Sequence, residues 1–99
     1  MTNINVEELK FRINNGEELN LIDVRELNER DEFNIGGIHL PIGMVQSMQI
    51  DAIEDLKEKE VICYCRSGNR SMMAALVLEQ CGFRNVRNLT GGMLAWQGV

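Results

Sequence analysis

Cys65-Arg66-Ser67-Gly68-Asn69-Arg70 puts one thiol, two guanidinium groups and one glycine into six consecutive residues. The segment lies between an apolar run, Val61-Ile62-Cys63-Tyr64, and a helical pattern that starts at Ser71. A loop at that junction faces the unpaired N–H groups and the positive end of the following helix. Such a place favours thiolate over thiol. Helix N-termini and adjacent arginines bring a cysteine pKa from about 8.5 down to roughly 3.5–7.5. Gly68 lets the loop curl, because a residue without Cβ takes positive φ at little cost. Successive inward amides then form an anion nest, and Arg66 and Arg70 supply charges able to hold an oxyanion. An arbitrary cysteine is more often a small buried apolar residue. Here strand end, glycine, arginines and helix start converge, and Cys65 reads as a nucleophile.

The elements that must position this loop alternate in type. Asn5 reads as the N-cap of a helix, with Glu8 placed for a capping box. That helix carries Val6, Leu9, Phe11 and Ile13 and stops at Asn14-Asn15-Gly16. Leu19 to Val24 reads as a strand, Glu26 to Phe33 as a helix broken by Gly36-Gly37, and Ile38 to Ile42 as a short strand. Ile50 to Leu56 has helical spacing. Val61 to Tyr64 lacks polar alternation, as in a parallel sheet covered on both faces. Ser71 to Cys81 is apolar nearly all round, which predicts a deeply buried helix. Val86 to Leu89 reads as an edge or near-edge strand, and Gly91-Gly92 opens a short helix through Trp96. Strands alternating with helices predict βαβ units, so the class is α/β, in one domain over residues 1–99. Ligands in such folds bind beyond the carboxyl ends of strands, where Cys65 stands.

With Ser71 added, the loop resembles the active-site loop of single-domain rhodaneses, the sulfurtransferase family. Three further segments agree. Leu21-Ile22-Asp23-Val24-Arg25-Glu26 is similar to that family's early strand and its Asp-x-Arg ending. Asn34-Ile35-Gly36-Gly37 stands where the family often has His-Ile-Pro-Gly, so Asn34 and Gly36 depart from the pattern. Leu89-Thr90-Gly91-Gly92-Met93-Leu94-Ala95-Trp96 resembles its C-terminal Gly-Gly…Trp signature. The resemblance implies a three-layer fold: a small, mainly parallel sheet of four or five strands with helices on both faces. It also implies a two-step reaction without cofactor or metal. Cys65 takes sulfane sulfur from a small donor such as thiosulfate or a persulfide, then passes it to a thiol, or to cyanide, as acceptor. Loop residues Arg66, Ser67, Gly68, Asn69 and Arg70 would bind substrate, with Asp23, Arg25 and Ser71 as structural support; Arg25 would brace neighbouring loops through a salt bridge. A monomer is expected.

Three rival readings stand beside this one. Phosphatases and arsenate reductases of related architecture need Cys-x5-Arg, whereas Arg70 makes Cys-x4-Arg and Ser71 occupies the position they would use. Tyr64 stands where those phosphatases place a histidine. A rhodanese-like binding module without activity would have lost the cysteine or filled the loop with bulky or acidic side chains. A relay, passing persulfide sulfur to a partner protein, keeps the same chemistry and changes only the acceptor.

Composition narrows the setting. Apolar residues are 44% of the chain and charged residues 25%, an ordinary globular balance. A net charge of −5 argues against a nucleic-acid surface, which needs clustered Lys and Arg. The sequence has no basic n-region with an apolar h-region and no apolar run near the roughly 18 residues a bilayer demands, so no membrane and a cytoplasmic setting are expected. Three cysteines suit a reducing compartment better than a disulfide framework. Cys63 reads as buried core and Cys81 as structural. His39 reads as a surface or packing residue rather than a base. Met72 and Met73 read as core filler, Met93 and Trp96 as closing the core edge, and Glu54-Asp55…Glu58…Glu60 as a solvated helix face.

Overall fold

The apolar run before the loop forms the middle strand of a five-stranded sheet in which every pairing is parallel. The computed structural model describes residues 1–98. In chain order the elements are β1 (Thr2–Ile4), α1 (Val6–Asn14), β2 (Leu21–Asp23), α2 (Leu27–Glu32), β3 (Ile38–His39) and α3 (Ile42–Gln46). A 3₁₀ helix (Asp51–Leu56) follows, then β4 (Glu60–Tyr64), α4 (Asn69–Gln80), β5 (Asn85–Leu89) and α5 (Gly92–Gln97). The strands lie in the order β1-β5-β4-β2-β3.

Side chains on a strand alternate between faces, and β4 buries both. Val61 and Cys63 join a core with Val45 of α3, Ile53 of the 3₁₀ helix and Ala74, Ala75 and Leu78 of α4. Ile62 and Tyr64 join a second core with Val6 and Leu9 of α1 and Met93 of α5. Helices therefore cover both faces, which agrees with the α/β class that the sequence pattern predicts and with the three layers that the resemblance implies. No described helix is long and apolar enough to cross a membrane.

Several local readings need correction. β1 was not expected; Thr2-Asn3-Ile4 carries too few apolar residues to show a period, and its place is set by pairing with β5. β5 is thus a near-edge strand, one position in from β1. The strand expected over Ile38–Ile42 is only two residues long, because Pro41 (φ −52°) caps α3 and Ile42 is helical. Asn5 does cap α1, its side chain accepting from the Glu8 amide at 2.8 Å. Phe11 and Ile13, however, are 66% and 38% exposed, since a nine-residue helix lays only Val6 and Leu9 on the sheet. The helix after the loop starts at Asn69 rather than Ser71. It buries one stripe, Ser71, Ala74, Ala75 and Leu78, leaving Met72, Met73 and Leu76 exposed, so Met72 and Met73 are not core filler. Glu60 is no helix residue: it opens β4 and pairs with Arg12 at 2.6 Å.

Candidate active site

Cys65 is the first residue past β4, and its Sγ is held by the loop that follows. The Gly68 amide donates to Sγ at 3.1 Å and the Ser71 amide at 3.3 Å, with the Ser71 hydroxyl also 3.3 Å away. Gly68 caps α4 with φ +102°, the left-handed conformation that turns its amide inward. Burial by itself would raise the Cys65 thiol pKa. Hydrogen bonds from Ser71 and from the Gly68 and Ser67 amides outweigh that cost, and the thiol titrates below its ordinary value. Cys63 lacks such donors, and burial pushes it up to about 12. It is fully buried core, as its position predicts.

The loop keeps its amides inward because its carbonyls are engaged outside. Met93 N donates to Cys65 O at 2.9 Å and Leu94 N to Arg66 O at 3.0 Å, both from the first turn of α5. That close approach explains Gly92, the second of the Gly91-Gly92 pair. A Cβ on Gly92 would fall on the Cys65 and Arg66 carbonyls, and its φ of +53° disfavours any other residue.

The two loop arginines part company. Arg70, expected as a second charge for an incoming oxyanion, is engaged by Glu29 in a bidentate pair with both N···O distances 2.7 Å. The Arg70 guanidinium holds the Glu29 carboxyl down at about 2. Glu29 is itself fixed, since it also accepts from the Glu26 amide in a capping box at the start of α2. Arg66 is exposed and, among the described residues, makes no ion pair. It lines an open cleft of about 360 Å³ with Arg25, Glu29, Phe33, Met93 and Leu94. Cys65 is fully buried, while Arg66, Ser67 and Asn69 are exposed.

Asp23 and Arg25 lie at the carboxyl end of the neighbouring strand β2. Arg25 Nε and Nη2 each meet Asp23 at 2.9 Å, and Nη2 also donates to Phe33 O at 2.7 Å. Burial would raise the Asp23 carboxyl pKa, but Arg25 and Arg30 bring it below the usual range. His39 Nε2 donates to the Arg25 carbonyl at 2.8 Å, which occupies it away from Cys65. Tyr64 donates its hydroxyl to Gly36 O at 2.7 Å. No described group of three or more His, Cys, Asp or Glu residues is placed to hold a metal ion.

Two residues of the site were not anticipated. Glu29 reads as one more charge on a polar helix, with nothing local to tie it to Arg70. Asn88 donates its Nδ2 to Gly68 O at 3.2 Å, and its Oδ1 lies 2.5 Å from the Ser71 hydroxyl. The available signal was the strand period, which puts Asn88 on the same face as Val86, where a buried amide demands partners.

Comparison with known proteins identifies relatives of the chain as a whole. Residues 5–98 match the family described as Rhodanese-like domain. The chain is 41% identical over 96 residues to YtwF of Bacillus subtilis, named as a sulfurtransferase, covering 96% of this chain and 89% of that protein. It is 36% identical over 96 residues to YrkF of the same organism, named as a sulfur carrier protein; it spans only 50% of YrkF. Among solved structures, a rhodanese-like domain protein from Staphylococcus aureus superposes with a TM-score of 0.84 at 25% identity, over 97% of this chain and 91% of that one.

Proposed function

The chain belongs to the Rhodanese-like domain family, and from that premise we propose that it moves sulfane sulfur through a persulfide on Cys65. In the first half-reaction the Cys65 thiolate attacks the outer sulfur of a donor such as thiosulfate. The donor's S–S bond breaks, sulfite leaves with the bonding electron pair, and Cys65 keeps the outer sulfur as a persulfide. In the second, an acceptor thiolate attacks that outer sulfur and Cys65 returns to its thiolate. This is covalent catalysis with ping-pong kinetics. The observation that carries the reading is the set of donors around Sγ, which favours the thiolate without a general base.

Roles follow from the geometry. The amides of Ser67, Gly68 and Ser71 hold the anionic sulfur. Arg66, exposed and without an ion pair among the described residues, meets the sulfonate end of the donor at the cleft it lines. Arg70 braces the loop through Glu29, and Asp23 with Arg25 holds the adjoining strand end. Asn69, exposed, begins α4 beside the loop. A six-residue ring of this kind encloses a single sulfur rather than a phosphoryl group, which disfavours phosphatase chemistry.

Likeness to a sulfur carrier protein favours a second form of the same reading, in which the acceptor is a protein thiol. Intact mass after incubation with thiosulfate tests the first half-reaction. Gain of one sulfur atom, absent in Cys65→Ser, is expected. No adduct from thiosulfate or from a persulfide donor, together with hydrolysis of an aryl phosphate, would overturn it.

A further inference from the structure

The Ser71 hydroxyl carries one proton and stands between two acceptors, Cys65 Sγ at 3.3 Å and Asn88 Oδ1 at 2.5 Å. The Asn88 amide cannot be turned around. Its other end meets the Gly68 carbonyl at 3.2 Å, and a carbonyl only accepts, so that end is the NH2 group. Oδ1 therefore faces Ser71, and the shorter contact takes the proton. Cys65 and Ser71 are fully buried and Asn88 is 4% exposed, so the competition is settled in a low-dielectric interior.

We propose that Asn88 is a positioning residue that holds the Ser71 proton away from Cys65 and releases it only when the sulfur becomes anionic. The inference rests on the reading of Cys65 as the nucleophile. In the thiol state the Cys65 S–H donates to Ser71 Oγ, and the Ser71 O–H donates to Asn88 Oδ1. On ionisation the Ser71 O–H rotates to Sγ and Asn88 Oδ1 gives up its donor. The Cys65 S–H bond is the one covalent bond that breaks, its electron pair staying on sulfur and its proton passing to solvent. The Gly68 and Ser71 amides point at sulfur in both states, so Ser71 is the adjustable member of the cradle and Asn88 sets its resting position.

Other groups facing Cys65 keep their charge through this change. Cys63 on β4 is a thiol pushed up to about 12. Arg66 in the loop and Arg70 on α4 stay cationic, and Glu29 on α2, the partner of Arg70, is held down at about 2. From α5 the loop receives two backbone amides, at the Cys65 and Arg66 carbonyls.

The test reads the ionisation of Cys65 directly. Alkylation by iodoacetamide is followed against pH, with the modified peptide identified by mass, in the native chain, Ser71→Ala, Asn88→Ala and the double variant. With Asn88 present, Ser71→Ala should raise the midpoint only by a fraction of a unit, because each donation to the anionic sulfur there also gives up the bond to Asn88. With Asn88→Ala the hydroxyl is free to donate to sulfur, and removing it should raise the midpoint by about one pH unit, a tenfold change in the ionisation constant. Any loosening of the loop by Asn88→Ala is common to both members of that pair and cancels. Equal shifts in the two backgrounds would overturn the assignment and leave the persulfide reading intact. A Cys65 unreactive at every pH would overturn that reading and this one with it. Asn88→Leu, of similar volume, gives the same comparison where the alanine variant fails to fold, and thermal unfolding of all variants identifies that case.

Discussion

Gly92→Ala is a small change with a large calculated cost. At φ +53° an alanine sits in the left-handed region, at about 1–2 kcal/mol. Its Cβ also lands on the Cys65 and Arg66 carbonyl oxygens, which are backbone atoms and yield only if the loop moves. Moving the loop weakens the bonds from Met93 N and Leu94 N, each contributing about 0.5–1.5 kcal/mol net. The expected destabilisation is about 2–4 kcal/mol, equivalent to a Tm lower by at least about 10 °C in a domain of this size. The Gly68 and Ser71 amides shift with the loop, so the Cys65 alkylation midpoint should rise toward that of an ordinary cysteine. Gly43→Ala serves as the comparison, since its Cβ would meet nothing within 4 Å and α3 gains a better helix former. Thermal unfolding and donor-dependent persulfide formation are measured on both variants. A Gly92→Ala protein with native Tm and native reactivity would refute the claim that α5 holds the loop.

Two further outcomes can be checked. Arg66→Ala should leave Tm unchanged, because the side chain is exposed and makes no ion pair among the described residues, yet lower kcat/KM for an anionic donor by roughly tenfold or more, the loss of one charge-assisted hydrogen bond; an unchanged kcat/KM would remove Arg66 from donor binding. Glu29→Gln breaks the pair with Arg70 and should cost about 1 kcal/mol, small because both partners are partly solvated. The Glu29 carboxyl is depressed to about 2 in the fold, so its contribution is complete above its ordinary pKa and is lost as pH falls through about 2. Denaturant titrations from neutral to acid pH should show the native and Glu29→Gln proteins converging over that window, and parallel curves would contradict the assignment.

The chemistry of the loop was legible because it is local. Val61–Tyr64 announces a strand buried on both faces, Gly68 and the helix pattern announce the turn, and Cys65 falls between them. What stayed hidden is carried by contacts distant in sequence. Arg70 finds Glu29 only once the fold brings one residue of α2 to the start of α4, so a charge that looks free along the chain is committed in the fold. Asn88 meets Ser71 only once β5 lies beside β4. β1 is a strand because β5 offers it an edge, with little help from its own residues. Met72, Met73 and Leu76 misled for a related reason: small Ala74 and Ala75 let α4 sit close to the sheet on one narrow stripe, and the larger apolar side chains remain outside. Pro41 was in view, but its role as a helix start depends on β3 ending after His39.

The outward carbonyls of the loop have a consequence for its dimensions. Cys65 O and Arg66 O are taken by α5, and Gly68 O by Met72 N and the Asn88 side chain. Met93 and Leu94 belong to α5 and Asn88 to β5, so the ring is riveted at points whose spacing other elements dictate. Inserting one residue would put every later carbonyl out of step with its rivet. Widening the ring to admit a larger cargo thus means relocating a helix and a strand together, and the calibre of the site belongs to the carboxyl-terminal half of the chain as much as to the loop that bears the cysteine.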